Sequence, residues 1–262
     1  SVMEQSFGDW ELICVNDGST DGSLSKLEAY ASKDPRIRVF SKPNGGALNA
    51  RNYGVRQACS KWLYRMDADD LLSPDLLEEM IRTANEQDAD YVIPEQVHWW
   101  PDQPEKTYYF NREHGVFEKL SGREALIKSL MWEFHGRAMC RLDTYMKYTF
   151  DSDIGFIDEY VARLVILNSR KIVYSKGEYY YRQNAGSLCY KPSVRRFHVL
   201  ERSRLSEQLL LTVCDDPQTI HNYRRLLFGE LIGCTRLYLS QYRLFDKEER
   251  RQIVELLTAA YR

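Results

Sequence analysis

The chain is 262 residues long, 44% hydrophobic and 28% charged, with a formal net charge of -2. This length holds one large domain, or one domain and an appendage, and the composition excludes a disordered chain. The balanced charge excludes a chain-wide basic field for nucleic acid, and no apolar run reaches the ~20 residues that span a bilayer.

No signal peptide is recognised, and residues 1–10 read as the middle of a fold, so a leading strand and turn are expected ahead of Ser1. Glu11 to Val15 is a short apolar run ending at Asn16-Asp17-Gly18-Ser19, which predicts a buried strand and a turn. Ser19, Thr20 or Asp21 caps the next helix, whose apolar face carries Leu24, Leu27 and Ala31. Ile37 to Phe40 is a second strand. Gly45-Gly46 breaks the chain before a helix whose small residues permit close packing on a sheet. Trp62 to Met66 is a third strand, running directly into Asp67-Ala68-Asp69-Asp70.

Ser73-Pro74 starts a helix with the stripe Leu77, Met80, Ile81 and Ala84, and Ala89 to Ile93 is a fourth strand. Strands and helices alternating at this spacing predict an α/β sheet with mostly parallel strands, where ligands sit outside the carboxyl ends. Pro94 to Phe117, rich in aromatic residues, predicts irregular strands or a loop insertion. Ser121 caps a helix reaching Leu130, His135 to Cys140 is a candidate strand, Asp158 opens a helix, and Lys171 to Tyr174 and Glu178 to Arg182 are strands. After Pro192 three helices are predicted, over 193–212, 218–240 and 247–261. The expected organisation is a catalytic domain over 1–190 and a helical extension over 191–262.

The six cysteines, Cys14, Cys59, Cys140, Cys189, Cys214 and Cys234, form no CxxC pair and fit no zinc spacing. They are expected to be reduced thiols, with Cys14 and Cys59 in core positions.

Three short segments carry chemistry. Carboxylates crowded at Asp67, Asp69 and Asp70 after a strand repel one another, and a hard divalent ion with oxygen ligands, Mg²⁺ or Mn²⁺, relieves that repulsion while taking phosphate oxygens. Taken alone, an acidic, solvated helix-capping turn explains the same residues. Asp17 can accept hydrogen bonds from a base or ribose, or simply belong to a turn. Arg51, after Asn44-Gly45-Gly46, can reach a phosphate, or be a surface arginine.

In this order and spacing, Asn16-Asp17-Gly18-Ser19-Thr20-Asp21, Asn44-Gly45-Gly46, Ala50-Arg51-Asn52-Tyr53-Gly54 and Met66-Asp67-Ala68-Asp69-Asp70 resemble the family 2 glycosyltransferases of bacterial type. The resemblance is specific over about the first ninety residues. It continues loosely through His135-Gly136-Arg137, Ile157-Asp158-Glu159-Tyr160 and Tyr179-Tyr180-Tyr181-Arg182 with Ser187.

The resemblance implies the GT-A fold, a mixed sheet flanked by helices, and inverting transfer of a hexosyl or N-acetylhexosaminyl group from a nucleotide-diphosphate sugar, with uridine as the default base. It implies that Asp17 contacts the nucleobase, that Arg51, Asp67, Asp69 and Asp70 serve the donor, and that Asp67 and Asp69 meet the metal. Asp158 then matches the catalytic base, with Glu159 as fallback because Ile157 stands where the family often has glutamate. A hydrophobic neighbour is expected to raise the pKa of Asp158; its alternative is a first-turn helix carboxylate.

The implied partners are a sugar-nucleotide donor and a glycan or lipid-linked acceptor, with no nucleic acid. The implied setting is polysaccharide biosynthesis in the cytoplasm, at the inner membrane face if the chain meets lipid. A non-catalytic sugar-nucleotide-binding protein and a nucleotidyltransferase are the alternatives; the latter wants a basic glycine-rich loop after its first strand, which Asp17-Gly18-Ser19 is not. Residues 223–228 and 237–245 mix arginine with large apolar side chains, as on an anionic membrane surface, although packing on the catalytic domain with solvated arginines accounts for them better.

Overall fold

The computed structural model describes residues 1–114, 118–149, 157–183 and 192–261. The apolar run predicted first becomes β1 (Leu12–Asp17), followed by α1 (Ser23–Ala31), β2 (Ile37–Lys42) and α2 (Ala47–Gln57). β1 and β2 pair in parallel, in register from Leu12 opposite Ile37 to Asp17 opposite Lys42. A carboxylate and an ammonium therefore face each other at the two carboxyl ends.

β3 (Trp62–Leu63) is shorter than the predicted strand. Only Trp62 and Leu63 pair with a neighbour, and Arg65 leaves the ladder to lie 5.0 Å from the centroid of the Tyr145 ring. β4 (Leu71–Leu72), α3 (Leu76–Glu86) and β5 (Tyr91–Trp99) follow. β5 continues past Pro94, which has no N–H for a ladder, through a register shift between Ile93 and Glu95. The predicted insertion thus adds to the sheet: β6 (Tyr108–Tyr109) pairs with the far end of β5, and α4 (Phe110–His114) docks through the Asn111 amide, which bonds the Pro94 carbonyl at 2.8 Å.

α5 (Gly122–Leu130) begins with a full capping box, Ser121 and Glu124 bonding each other's backbone N–H. Then come β7 (Met139–Arg141), α6 (Leu142–Met146), α7 (Ile157–Leu167) and β8 (Ile172–Arg182), the last uniting two predicted strands. The larger sheet has the order β3-β7-β5-β8-β4, with β6 beside β5. Its pairs are antiparallel except β5 with β8, so the sheet is mixed, which corrects the expectation of mostly parallel strands.

Helices cover the sheet by burying apolar side chains. Leu76 and Met80 of α3 are fully buried against β8, each burial contributing ~1.5–3 kcal/mol. Gly177 makes that approach possible, since a Cβ there would lie 2.8 Å from the Leu76 Cα. α5 and α7 cover the other side with Leu126, Leu130, Val165 and Ile166.

Beyond residue 192, a 3₁₀ turn (Val194–His198) leads into α8 (Val199–Leu211), α9 (Pro217–Gln241) and α10 (Lys247–Tyr261). Leu209, Leu210 and Tyr223 join the α5–α7 core, whereas Phe197, Phe245 and Ile253 build a separate cluster. The partition expected at residue 190, Ser187 and Cys189 lie outside the described residues. Cys59 is exposed and Cys14 half-buried, against the expectation of core positions: Cys59 follows the end of α2 at the surface. Among the described residues no helix is long and apolar enough to cross a membrane.

Candidate active site

The carboxylates after β3 differ in exposure and in partners, and one arginine reaches two of them, Arg137 Nη1 lying 3.7 Å from Asp70 and Nη2 3.0 Å from Asp67. Asp67 is half-exposed and accepts from Arg137 Nη2 at 3.0 Å, with Arg51 Nη2 3.9 Å away. Asp69 is exposed, and its backbone carbonyl accepts from Arg182 Nε at 2.7 Å. Asp70 is buried; Tyr179 donates its hydroxyl proton to the carboxylate, and the Arg182 N–H donates at 2.8 Å. Arginines and burial relieve the mutual repulsion here. Desolvation raises the pKa of Asp70, opposed by the Tyr179 and Arg182 hydrogen bonds.

Tyr179 is the hub of this loop. It is fully buried, it accepts the Asp67 backbone N–H at 3.2 Å, and the Arg137 guanidinium donates to its hydroxyl while lying 4.4 Å from its ring centroid. One tyrosine on β8 therefore ties the Asp67 backbone to the buried Asp70 carboxylate.

Arg51, on α2, joins Asp67 to Asp158 in the first turn of α7: its Nη1 lies 3.2 Å from the Asp158 carboxylate. Burial raises the pKa of Asp158, but Arg51 and Arg65 outweigh it and hold the carboxyl below its ordinary value of 3.8. The sequence-based expectation had the opposite sign, because it counted a hydrophobic neighbour and missed two guanidinium groups. Glu159, the fallback, is committed elsewhere: Arg202 contacts it closely, and Arg163 Nη1 is 3.8 Å away.

Asp17 sits at the tip of β1, where Lys42 Nζ is 2.5 Å from its carboxylate and the Gly45 N–H donates at 3.0 Å. The Lys42 hydrogen bond lowers its pKa. Gly18, at φ +70, brings the loop so close that a Cβ would meet the Asn44 nitrogen at 2.8 Å.

Arg51, Asp67 and Asp158 line one cavity of about 370 Å³. Asp17, Asp69 and Asp70 are not among its lining residues. Sequence reasoning missed several that are, notably Arg65, Trp132, Arg163, Arg195 and Arg196. Trp132 follows α5 at φ +60, where glycine is usual; the Trp132 and Glu133 N–H groups bond the Ser129 and Lys128 carbonyls at 3.2 and 3.1 Å and close the helix. No pattern in the sequence marks a tryptophan in a left-handed cap. Arg137 was signalled only by its loose place in the family-like His135-Gly136-Arg137.

Residues 1–142, more than half of the chain, match the family described as Glycosyl transferase family 2. The chain belongs to glycosyl transferase family 2. Among curated relatives it is 28% identical to glycosyltransferase GlyG of Streptococcus pneumoniae serotype 4, over 71% of this chain and 65% of that protein. It is likewise 28% identical to the uncharacterized glycosyltransferase EpsJ of Bacillus subtilis, over 74% of this chain and 59% of that protein. The chain thus spans roughly three fifths of the length of these two relatives.

A solved structure of S. aureus TarS residues 1–349 in complex with UDP-GlcNAc superposes with a TM-score of 0.69 at 18% identity, covering 99% of this chain and 74% of that one. A mannosyltransferase of Pyrobaculum calidifontis, in complex with GDP-Man and Mn²⁺, superposes with a TM-score of 0.52 at 15% identity, covering 99% of this chain and 79% of that one. The architecture of this family 2 member is the GT-A fold, with carboxyl-terminal helices.

Proposed function

We propose that this chain transfers a sugar from a nucleotide-diphosphate donor to an acceptor hydroxyl with inversion at the anomeric carbon. The observation that carries the reading is the bridge Arg51 makes between Asp67 and Asp158 within one cavity. A residue suited to diphosphate and a residue suited to proton removal thereby share a wall. A uridine donor is supported by family membership and by the UDP-GlcNAc complex of the TarS relative in fold. Asp17 at the tip of β1 would receive the base, displacing Lys42.

Among the described residues no three His, Cys, Asp or Glu side chains form a metal cluster. A hard divalent ion that keeps phosphate oxygens as most of its ligands needs only one or two carboxylates, and half-exposed Asp67 with exposed Asp69 fits that donor set. Buried Asp70 does not, because Tyr179 and Arg182 occupy its carboxylate. When bound, Mn²⁺ or Mg²⁺ offsets the negative charge that develops on the departing diphosphate.

The protein supplies the remainder. Arg51 and Arg137 face the donor phosphates and stabilise the leaving group. Asp158 takes the acceptor hydroxyl proton as that oxygen bonds to the anomeric carbon and the carbon–phosphate-oxygen bond breaks on the opposite face. Arg51 cannot fully serve both partners, so diphosphate drawing it off Asp158 leaves the burial effect less opposed and makes the carboxylate a stronger base.

The experiment is a turnover screen of UDP- and GDP-sugars with Mn²⁺, Mg²⁺ or excess chelator, read as nucleoside diphosphate release. Release with one donor class, abolished by chelator, is expected. Tight donor binding with no release across many acceptors would mark a sugar-nucleotide-binding protein instead, and pyrophosphate release would mark a nucleotidyltransferase.

A further inference from the structure

We infer that the acceptor carries a negative charge, a phosphate or a carboxylate, close to its reacting hydroxyl, and that Arg195 and Arg196 receive it. The inference rests on the transfer reading above and deepens it by naming the acceptor's chemical class. Among the described residues, six arginines line the cavity against three acidic side chains, Asp67, Asp158 and Glu159. All three acids already have guanidinium partners: Arg51 and Arg137 on Asp67, Arg51 on Asp158, and Arg163 and Arg202 on Glu159. Arg195 and Arg196 stand outside these pairs, and among the described residues neither belongs to an ion pair.

Their position is fixed. Both sit on the 3₁₀ turn Val194–His198, pinned by fully buried Phe197, whose ring meets Phe245 edge-on at 5.9 Å. From that turn α8 runs to Arg202, which grips Glu159 beside Asp158. The pair is therefore built into the helical side of the cavity that the proposed base also lines, while Arg51 and Arg137 hold the Asp67 side. A diphosphate donor answers the charge on the Asp67 side. A neutral acceptor offers exposed Arg195 and half-buried Arg196 only hydroxyl oxygens, which accept weaker hydrogen bonds than a charged oxygen does. A phosphate or carboxylate accepts charge-assisted hydrogen bonds from both forks.

The test fills the donor side first. Chain saturated with UDP and Mn²⁺ is titrated calorimetrically with glucose 6-phosphate, glucuronate and glucose. At least one charged sugar is expected to bind about tenfold or more tighter than glucose, and to weaken as salt rises. A preference for glucose 6-phosphate alone assigns phosphate, for glucuronate alone carboxylate, and for both a general anion site.

The Arg195→Ala, Arg196→Ala variant is expected to lose the preference, and the Arg195→Lys, Arg196→Lys variant to keep most of it. If the alanine variant no longer binds UDP its fold is disturbed, and the lysine variant decides. Equal binding of the three sugars to the parent chain, including none measurable, overturns the inference, as does a preference that survives the alanine substitutions. A parent chain that does not bind UDP overturns the uridine-donor reading instead.

Discussion

Asp158 and Glu159 are neighbours in the first turn of α7, yet the two walls they face use charge in opposite ways. On the Asp67 side, half-exposed carboxylates share arginines, with Arg51 3.2 Å from Asp158 and 3.9 Å from Asp67, and Arg137 3.0 Å from Asp67. A ligand can exchange those partners. On the helical side, Arg202 is 5% exposed and is gripped by Glu159 and Glu230, with Ser203 donating to the same Glu230 carboxylate. That arrangement is closed. Similar residues are exchangeable where solvent reaches them and structural where it does not, because the cost of an unpaired charge grows with burial.

The largest expected effect separates the two neighbours. Asp158→Asn slows transfer about 10²- to 10⁴-fold, the usual contribution of a general base. Its melting temperature falls only slightly, since asparagine loses the charge pairing but still accepts from Arg51. Diphosphate release and a thermal melt on the same preparation check both halves, and unimpaired turnover removes Asp158 from the mechanism.

Arg202→Ala should do the reverse. Removing the buried partner of two carboxylates costs about 3 kcal/mol of stability, measured by urea unfolding, and Arg202→Met should recover part of it. A loss below about 1 kcal/mol would mean that the helical wall is as solvated as the other.

Tyr179→Phe tests the hinge between open and closed charge. It leaves buried Asp70 with the Arg182 N–H as its remaining described hydrogen bond and should cost about 2 kcal/mol. Turnover should also fall, because the Asp67 N–H and Arg137 lose the same oxygen.

The pH dependence is the subtlest measure. The Asp158 pKa is depressed, so its pairing contributes stability above the unfolded value of 3.8 that is lost as pH falls through the lower folded value. In the free enzyme, kcat/KM should therefore show no acid limb from Asp158 above that value. If donor withdraws Arg51, the acid limb of kcat should lie at higher pH than that of kcat/KM; coincident limbs would show that Arg51 stays on Asp158.

Much of the first half was legible because its signals are local. The apolar run ending in Asn16-Asp17-Gly18 marked the end of β1, and the Ser121 cap stood where a serine precedes Glu124 by three residues. The fates of Asp69 and Asp70 were not legible. Adjacent letters carry no burial, and Tyr179, which buries one of them, is 109 residues away from Asp70. Strand direction was hidden for a similar reason: β3, β4 and β7 are two or three residues long, too short for any periodicity. The pKa of Asp158 was misjudged because its controlling charges, Arg51 and Arg65, come from a distant part of the chain.

The clasp of Tyr179 and Arg182 on Asp70 has a consequence for biosynthesis. The loop of 67–70 leaves the ribosome long before β8 does, and the family's matched span, ending at residue 142, closes before either clasp residue has been made. A nascent chain at that length already bears the motifs after β1, β2 and β3 and has Arg137 near Asp70, but lacks both hydrogen bonds that Tyr179 and Arg182 give its carboxylate. Assembly of the catalytic centre therefore waits on the synthesis of β8, which makes premature termination ahead of it a loss of chemistry as well as of mass.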